Sequence, residues 1–458
     1  MLLTVWIVIF IFFWLAFIYL TRGQPTRHLG FFHYLLFFFS IYWGALELYV
    51  KFGSVNDRFL LSVVLYPVIS LLGMLGGTLL GGRTNFSNPR IRLQPEHVKL
   101  VLLTVGIFLG VYGIYLITLG ENIPLLVSLR EKDPLLGHMA RYAATKGYRE
   151  GVFHIGFFYW FPRILIDYFG VFVVVFFYFH LKGRISGYLR LSLLIFGLAL
   201  MAMMANEKYP VVKLLTLLAL CLYNIRYPRL SLRSLRQSLI AGAAFVVLVG
   251  LVYSLVTGAH RDLSGMGVYE AAKHVSIDKG LALLVTRGIT GQSMPLYMTY
   301  RIVPEQYDYF MGRTFTNPHR ILPYEPVPLP YLVYASYNPP TKGLRGADPT
   351  IFFGELYANF GLAFSFFSMF FFGALLQVLN SRLSARISQD KTPFSLAYFY
   401  LWMAYLGDFA IGFSPPHFDE RVWFFIGFYI LGRFLQKSEP VVLSEMDNLK
   451  LEYRKKFA

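Results

Sequence analysis

Hydrophobic runs of about 20 residues recur along this chain, and they limit its fold more than any other feature. A bilayer core of ~30 Å requires about that length of α-helix. Only 15% of the 458 residues are charged, against roughly 25% in soluble domains. The runs do not show the ~10-residue alternation of a membrane β-barrel. The sequence therefore predicts an all-α polytopic membrane protein, with residues 1–458 in a single integral membrane domain.

We expect about eleven transmembrane helices from these runs. The first lacks a basic segment before it and a small-residue cleavage site, so it predicts a retained helix rather than a signal peptide. The predicted spans are 2–20, 31–50, 59–82, 100–120, 157–181, 191–205, 211–225, 238–257, 353–378, 394–412 and 422–436.

Positive charge alternates between the connections and predicts the topology. Short loops rich in Lys and Arg stay in the cytoplasm. This places the N-terminus outside and the basic tail, 437–458, inside. The residues that carry the signal are Arg22, Arg27, Arg83, Arg90, Arg92, Lys99, Lys182, Arg184, Arg190, Arg226, Arg229, Arg233, Arg236, Arg382, Arg386, Lys391, Lys450, Arg454, Lys455 and Lys456.

Two long connections, 121–156 and 258–352, then face the extracytoplasmic side. The second far exceeds the usual 4–6 residues of a loop, and loops of that length are usually functional or disordered. Its many Tyr, Leu, Ile and Val residues argue against disorder. An amphipathic helix is predicted for Leu263 to Thr286, and an ordered but irregular structure for Pro318 to Pro349.

Six ionisable residues fall within or at the edges of predicted spans, where each is a candidate functional residue. Arg163 and Asp167 share a helix face and predict a self-neutralising structural pair. For Lys213, either extension of the side chain to the interface or binding of an anionic group is expected. The full set is Glu47, Arg163, Asp167, Lys213, Glu355 and Asp408.

Glu355 follows a polar loop and opens an apolar helix in "GADPTIFFGELYANFG", residues 346–361. It shares a helix face with Asn359, while Tyr357 points elsewhere. One interpretation is favourable placement of an acid at a helix N-terminus, where the macrodipole stabilises it. The other is a catalytic or substrate-binding role.

Arginines are unusually frequent on the long outer loop, against the positive-inside tendency. Arginine is preferred where phosphate oxygens are gripped by a planar fork. The set predicts discrete sites for an anionic lipid head group or diphosphate, although any single arginine could simply be solvated. The loop carries Arg261, Arg287, Arg301, Arg313, Arg320 and Arg345, with His260, His274 and His319, and the last outer loop adds His417, Asp419, Glu420 and Arg421.

Several function classes lack their signatures. The scattered histidines and the single cysteine, Cys221, predict neither a metal site nor a disulfide nor any cofactor. The basic loops carry no nucleic-acid-binding motif, and no P-loop or GxSxG motif occurs. Glycines 73, 77 and 81 repeat every four residues within a span and predict a helix-packing face.

The segment "DPTIFFGELYANFG" resembles the bacterial oligosaccharide repeat-unit polymerases, the Wzy-like family of O-antigen and common-antigen polymerases. In that family a Pro-Thr pair and Gly-Glu-x-Tyr-x-Asn-Phe-Gly open the span that follows the large outer loop. Further segments that resemble the family are "TRGITGQ", "GRTFTNPHRILPYEP" and the arginine at the start of the last span. The motif resemblance covers 287–361 and 417–421, and elsewhere it rests on hydropathy. The matching positions are Pro349, Thr350, Gly354, Glu355, Tyr357, Asn359, Phe360 and Gly361, with Arg287 and Arg421.

The resemblance implies a glycosyltransferase of the bacterial inner membrane that acts on its periplasmic face. Such proteins transfer a growing glycan from undecaprenyl diphosphate to the non-reducing end of the next lipid-linked repeat. The implied partners are this lipid-linked oligosaccharide and the bilayer, and a chain-length-regulating membrane protein is left open. A lipid-linked oligosaccharide flippase or other transporter, an O-antigen ligase and a polyprenyl-phosphate-dependent glycosyltransferase are the alternatives.

Residue roles follow from the resemblance and from the chemistry of transfer. Glu355, with Arg287 and His319, is the candidate catalytic set, and Glu355 is expected to act as general base. Cations would stabilise the leaving diphosphate without a metal; we expect this role for Arg261, Arg313, Arg320, Arg345, Arg421 and Lys208, where Lys208 in "NEKYP" replaces an arginine of related chains. The expected glycan-binding residues are Tyr324, Tyr337, Asp348, Tyr357 and Asn359.

Overall fold

The computed structural model describes residues 2–82, 94–130, 161–181, 185–204, 208–226, 293–315, 323–338, 350–409 and 419–435, and within these ranges every regular element is helical. The helices are α1 (Leu2–Leu20), α2 (Phe31–Phe52), α3 (Asp57–Gly81), α4 (Pro95–Leu119), α5 (Pro124–Arg130), α6 (Phe161–Leu181), α7 (Ile185–Met204), α8 (Lys208–Arg226), α9 (Ser293–Ile302), α10 (Leu329–Tyr337), α11 (Phe352–Asp390), α12 (Pro393–Asp408) and α13 (Glu420–Phe434).

Six helical segments in the described part of the chain are long and apolar enough to cross a membrane: Phe31–Phe52, Asp57–Gly81, Pro95–Val127, Phe161–Leu181, Ser186–Met204 and Phe352–Asp390. This confirms the prediction of an all-helical protein with helices suited to a membrane. The predicted span 238–257, the tail 437–458 and most of the loop 121–156 lie outside the described residues. The number of eleven spans and the orientation of the termini stay predictions.

The long connection 258–352 contains two short helices, α9 and α10, among its described residues. The prediction of irregular structure throughout Pro318–Pro349 is wrong for Leu329–Tyr337, which is α10. Proline at the second position of α10 explains the difference, because a proline in the first turn costs no backbone hydrogen bond. The predicted amphipathic helix over 263–286 lies outside the described residues.

The glycine-rich face of α3 packs against α11 at backbone contact. A Cβ added to Gly73 would lie 1.9 Å from the carbonyl oxygen of Phe370, and one added to Gly77 would lie 2.6 Å from that of Ala374. On the α11 side, a Cβ on Gly373 would lie 1.9 Å from a backbone oxygen of Ser70. The predicted helix-packing role of these glycines is therefore confirmed, and van der Waals contact between two backbones holds α3 to α11.

Helix α11 is broken at Gly361, whose φ of 80° and ψ of −176° are not helical. This φ is accessible to glycine at little energetic cost. The break divides α11 into a first arm, 352–360, and a second arm, 362–390. The prediction of one continuous span over 353–378 is therefore wrong at its outer end.

The first arm folds back along the second arm. The rings of Phe352 and Phe372 are 4.8 Å apart, although the residues would be separated by about 30 Å along a straight helix. Tyr66 of α3 contacts Phe353 of the first arm and Phe366 of the second arm, at ring distances of 4.3 and 5.3 Å. The first arm therefore begins inside the bundle, about 16 Å along the second arm from the turn.

Replacement of Gly73 by alanine is predicted to destabilise the protein by roughly 1–3 kcal/mol, because the new methyl group meets backbone that cannot rotate away. The measurement is the thermal unfolding midpoint of the detergent-solubilised protein. Gly106→Ala is the matched control on α4, since nothing lies within 4 Å of its added Cβ. Equal midpoints for the two variants would contradict the contact between α3 and α11.

His28 links the connection after α1 to the second arm of α11. Its Nε2 lies 2.9 Å from Oε1 of Gln377, and its Nδ1 accepts a hydrogen bond from the backbone N–H of Gly30 at 3.0 Å. These bonds fit the neutral imidazole with its proton on Nε2. Burial lowers the pKa of His28 from 6.5 to about 4.

Stability is therefore predicted to fall as the pH is lowered from about 6.5 to about 4, because the unfolded chain then binds a proton that the folded chain excludes. Above that window the contribution of His28 is fully present, and its loss amounts to roughly 3 kcal/mol. Unfolding midpoints of wild type and His28→Gln between pH 4 and 8 test this. If the unfolding midpoints of the two proteins change equally with pH, His28 is not the cause of the loss of stability.

Candidate functional site

The first arm of α11 is almost entirely buried, and Glu355 on it is 6% exposed. Gly354 makes this burial possible, because a Cβ there would lie 2.2 Å from Oγ1 of Thr350 and 2.7 Å from Cδ1 of Leu296. The arm could not approach α9 with a larger residue at this position. Thr350 and the Gly354–Glu355 pair of the motif therefore pack together, with the acid beside them.

We call residues 303–315, which follow α9 in the predicted outer loop, the outer segment. Its Thr314 donates a hydrogen bond from its hydroxyl to Oε2 of Glu355. Among the described residues, no other group hydrogen-bonds this carboxylate, which leaves its Oε1 without a partner there. The carboxylate therefore does not cap the N–H groups of its own arm. It still lies in the first turn, where the helix dipole favours negative charge.

Asn359 ties the outer segment to the end of the first arm. Its Oδ1 accepts a hydrogen bond from the backbone N–H of Gly312 at 2.7 Å. Its Nδ2 donates to Oγ1 of Thr314 at 2.6 Å and to the carbonyl of Glu355 at 2.8 Å. We call Glu355, Asn359 and Thr314 the Glu355 site. The side-chain amide of Asn359 is fully buried and has protein partners on both ends, so in this geometry it does not face a ligand.

Tyr357 lies on the opposite side of the first arm, as its spacing predicts. Its ring stacks on that of Tyr300 at 3.8 Å, and its hydroxyl donates to the carbonyl of Val303 at 2.9 Å. The side chain is fully buried. In this geometry Tyr357 is a core residue that offers no face for a sugar to stack on.

Three further predicted site residues lie in the described part of the connection 258–352. Arg313 precedes Thr314 and is exposed, while Tyr324 and Tyr337 are half-buried. Lys208 is the first residue of α8. The remaining candidates lie outside the described residues, and their roles stay predictions: Arg261, Arg287, His319, Arg320, Arg345 and Asp348.

A second group of polar side chains lies where four helices meet. Helix α6 contributes Asp167 from its π-helical segment Leu165–Phe169, α8 contributes Lys213 from its second turn, and α12 ends at Asp408. Such π segments inside helices are frequent at functional sites. We define the ionic cluster as Arg163, Asp167, Lys213, Asp408, Asp419 and Arg421.

Cations and carboxylates alternate in the ionic cluster. Lys213 Nζ lies 3.1 Å from Oδ2 of Asp408 and 3.4 Å from Oδ1 of Asp167. Asp167 is also approached by Arg163 at 3.8 Å and by Arg421 at 3.7 Å. The predicted pairing of Arg163 with Asp167 is confirmed. The prediction that Lys213 extends to the interface is wrong, because its side chain is 7% exposed and held by two carboxylates.

Arg421 is held by Asp419 through two parallel hydrogen bonds, each 2.8 Å long, from Nε and Nη2. Asp419 also caps α13 by accepting the backbone N–H of Arg421, and it accepts the hydroxyl of Tyr405 at 2.9 Å. The ring of Tyr168 contacts two cations, at 4.3 Å from Lys213 Nζ and 5.1 Å from Arg421 Cζ. The cation predicted to bind diphosphate therefore already has a bidentate carboxylate partner.

The ionic cluster is electrically balanced, with three basic and three acidic side chains. Balance is required because an uncompensated charge inside a helical bundle is strongly unfavourable. Asp167, Lys213 and Asp408 are paired across helices, whereas Asp419 pairs with Arg421 in the first turn of α13. The cluster thus holds the ends of α12 and α13 against α6 and α8.

The Glu355 site and the ionic cluster lie at the same end of α12. Phe352 begins the first arm and Phe409 follows Asp408, and their rings are 5.1 Å apart. Both rings also contact Phe372, at 4.8 and 5.9 Å. A layer of aromatic side chains therefore separates the two polar groups.

The sequence identified Asp408 and Lys213 as intramembrane charges but did not predict their pairing. The opposite charges of these two residues, each in an otherwise apolar helix, were the feature of the sequence that could have predicted the pair. Thr314 was also missed, although it lies in the segment "GRTFTNP" on which the resemblance partly rests. A hydroxyl on a long loop carries no signal of its own until the fold brings it to a carboxylate.

No group of three or more potential metal ligands from His, Cys, Asp and Glu occurs in the described ranges. In comparisons with known proteins, no family model, no curated protein and no solved structure matches this chain. The functional argument therefore rests on the sequence resemblance and on the geometry of the two polar groups.

Replacement of Lys213 by methionine is predicted to destabilise the protein by about 3–5 kcal/mol, because it leaves buried carboxylates without their cation. Adding Asp408→Asn restores the charge balance and is expected to recover part of the loss. Thermal unfolding midpoints in detergent measure both variants.

Lys99→Met is the matched control, since Lys99 pairs with Glu96 at the surface and its side chain is 73% exposed. That control is expected to change stability by at most about 1 kcal/mol. A double variant less stable than Lys213→Met alone would argue against charge balance as the reason for the cluster.

Proposed function

We propose that this chain polymerises undecaprenyl-diphosphate-linked oligosaccharide repeat units at the extracytoplasmic face of the bacterial inner membrane. The observation that carries the proposal is the environment of Glu355. The motif that resembles the polymerases forms a buried arm with one carboxylate oxygen bound by Thr314 and the other without a described partner.

In the proposed reaction, a hydroxyl at the non-reducing end of an incoming lipid-linked repeat attacks the anomeric carbon of the growing chain. Oε1 of Glu355 accepts the proton of that hydroxyl. A new glycosidic bond forms as the bond between the anomeric carbon and the diphosphate oxygen breaks. Undecaprenyl diphosphate leaves with the bonding electron pair, and nearby cations stabilise its charge.

The exposed Arg313 is a candidate for that last role, because it adjoins Thr314 in the chain and does not belong to the ionic cluster. The guanidinium of Arg421 would first have to release Asp419. In this proposal the arginines of the long outer loop stabilise the leaving group, and the ionic cluster supports the helices beneath them.

A second candidate function, transport of a lipid-linked oligosaccharide, is favoured by a different observation. Transporters bind their substrates at broken helices near the membrane midplane, with charged groups inside the bundle. Helix α11 is broken at Gly361, and the ionic cluster places charged groups inside the bundle.

Deletion of the gene in its host is predicted to leave surface glycan with single repeat units and no longer chains, as judged on a gel. Complementation with wild type restores the ladder of chain lengths. Glu355→Gln is expected not to restore it, because an amide cannot accept the proton of the attacking hydroxyl; losing a general base lowers rates by about 10²–10⁴-fold.

Glu305→Gln is the control, since Glu305 is an exposed glutamate of the same outer segment. Membrane levels of each variant are measured by immunoblot. A full ladder from Glu355→Gln would exclude Glu355 as base. Loss of all surface glycan, single units included, on gene deletion would support transport instead.

A further inference from the structure

The hydrogen bonds around Glu355 form a chain with a fixed order of donors and acceptors, and the orientation of the Asn359 amide sets that order. The amide oxygen of Asn359 is oriented by the backbone N–H of Gly312. Its amide nitrogen must then point toward Thr314 and the carbonyl of Glu355, as observed at 2.6 and 2.8 Å. The assignment of oxygen and nitrogen in this side chain follows from these partners.

Thr314 has one hydroxyl proton and two lone pairs. Its oxygen already accepts a hydrogen bond from Nδ2 of Asn359. Its single proton is therefore available for Glu355, and Oε2 of Glu355 is the acceptor that it reaches. The order of donation is Gly312 to Asn359, Asn359 to Thr314, and Thr314 to Glu355.

The backbone keeps this order in place. The N–H groups of Phe310 and Met311 donate to the carbonyls of Ala358 and Asn359, at 3.0 and 3.1 Å. These carbonyls belong to the last turn of the first arm, where a helix has no N–H donors of its own for its carbonyl groups. The outer segment is thus fixed to the arm by backbone bonds on one side of Thr314, and Val327 donates to the carbonyl of Arg313 on the other side at 2.7 Å.

We propose that Thr314 and Asn359 are positioning residues, which hold one oxygen of Glu355 so that Oε1 is presented to the attacking hydroxyl. This inference rests on the proposed function, in which Glu355 is the base. Thr314 also stabilises the charged form of the carboxylate, because a hydrogen bond donated to a carboxylate favours ionisation. Neither residue touches the reacting atoms.

Other titratable groups face the first arm without hydrogen-bonding Glu355 in the described part of the chain. Arg313 is exposed and adjoins Thr314. The other groups lie on the elements that pack against the arm or beside it: Arg58 and Tyr66 on α3, His33 on α2, Tyr300 on α9, Tyr309 in the outer segment and Tyr357 on the arm itself, where Arg58 interacts with Tyr357.

The test compares Thr314→Val, which keeps the shape and removes the hydroxyl, with Thr314→Ser, which keeps the hydroxyl. Lipid-linked repeats extracted from the host strain that lacks the gene serve as substrate for purified protein in detergent. The rate of chain elongation is measured from pH 5.5 to 9. Thr299→Val is the matched control, because Thr299 is a buried threonine of α9 whose hydroxyl, among the described residues, bonds the carbonyl of Pro295 in its own helix.

We expect Thr314→Val to lower the elongation rate by about 100-fold and to move the acidic limb of the pH profile upward by about one pH unit. Thr314→Ser is expected to restore most of the rate and the position of the limb. Asn359→Asp, whose carboxylate cannot donate to Thr314, should behave like Thr314→Val. If Thr314→Val does not accumulate as folded protein, Thr314→Ala replaces it in the comparison with Thr314→Ser.

Two results would overturn the inference while Glu355→Gln is inactive. One is a rate and pH profile of Thr314→Val equal to wild type. The other is an equal loss in the serine and valine variants with no shift of the acidic limb, which indicates a structural role alone. A fully active Glu355→Gln protein would instead remove Glu355 as base, and the proposed function would fail separately.

Discussion

The reversal of α11 at Gly361 is the feature on which the Glu355 site depends. A left-handed φ at this glycine turns the chain back, so that the first arm packs inside the bundle along the second. The carbonyl groups at the end of the arm need donors from outside it, and Phe310 and Met311 of the outer segment supply them, while Gly312 donates to the side chain of Asn359. The hydrogen bonds from the outer segment to the carbonyl groups of the arm therefore also bring Thr314 to Glu355. A continuous helix would place Glu355 beyond the reach of this segment.

In the ionic cluster, charged side chains rather than backbone groups need partners inside the protein. Charges removed from water need partners, and the partners of Lys213, Asp408 and Asp167 come from three different helices. Charge balance explains why these residues can be buried, and the π segment of α6 brings Asp167 into their reach. The cluster joins α6, α8 and α12, because removing any one of these charges from the group leaves an opposite charge unbalanced.

The two polar groups bear differently on function. Glu355 has a carboxylate oxygen without a described partner, which suits a group that must accept a proton. The cations of the ionic cluster are all matched by aspartates, so an anionic substrate there would have to displace a bound carboxylate. This contrast is why we place the proposed chemistry at Glu355 and the leaving-group cations on the outer loop. The contact between Phe352 and Phe409 lies between the two groups.

The amino-acid sequence by itself determined the helical class, the presence of helices apolar enough to cross a membrane and the glycine face of α3. These features follow from hydrophobicity and spacing along one helix, which are local properties. The sequence also singled out Glu355 and the pair Arg163–Asp167, because both signals lie within a few residues.

Only the tertiary structure decided that α11 doubles back, that Lys213 joins Asp167 to Asp408, and that Thr314 bonds Glu355. Gly361 inside an apolar run is compatible with a straight helix, and the alternative becomes favourable only when α3, α9 and the outer segment cover the returning arm. The other two contacts join residues that are distant along the chain. Their existence depends on the packing of whole helices, which no local pattern encodes.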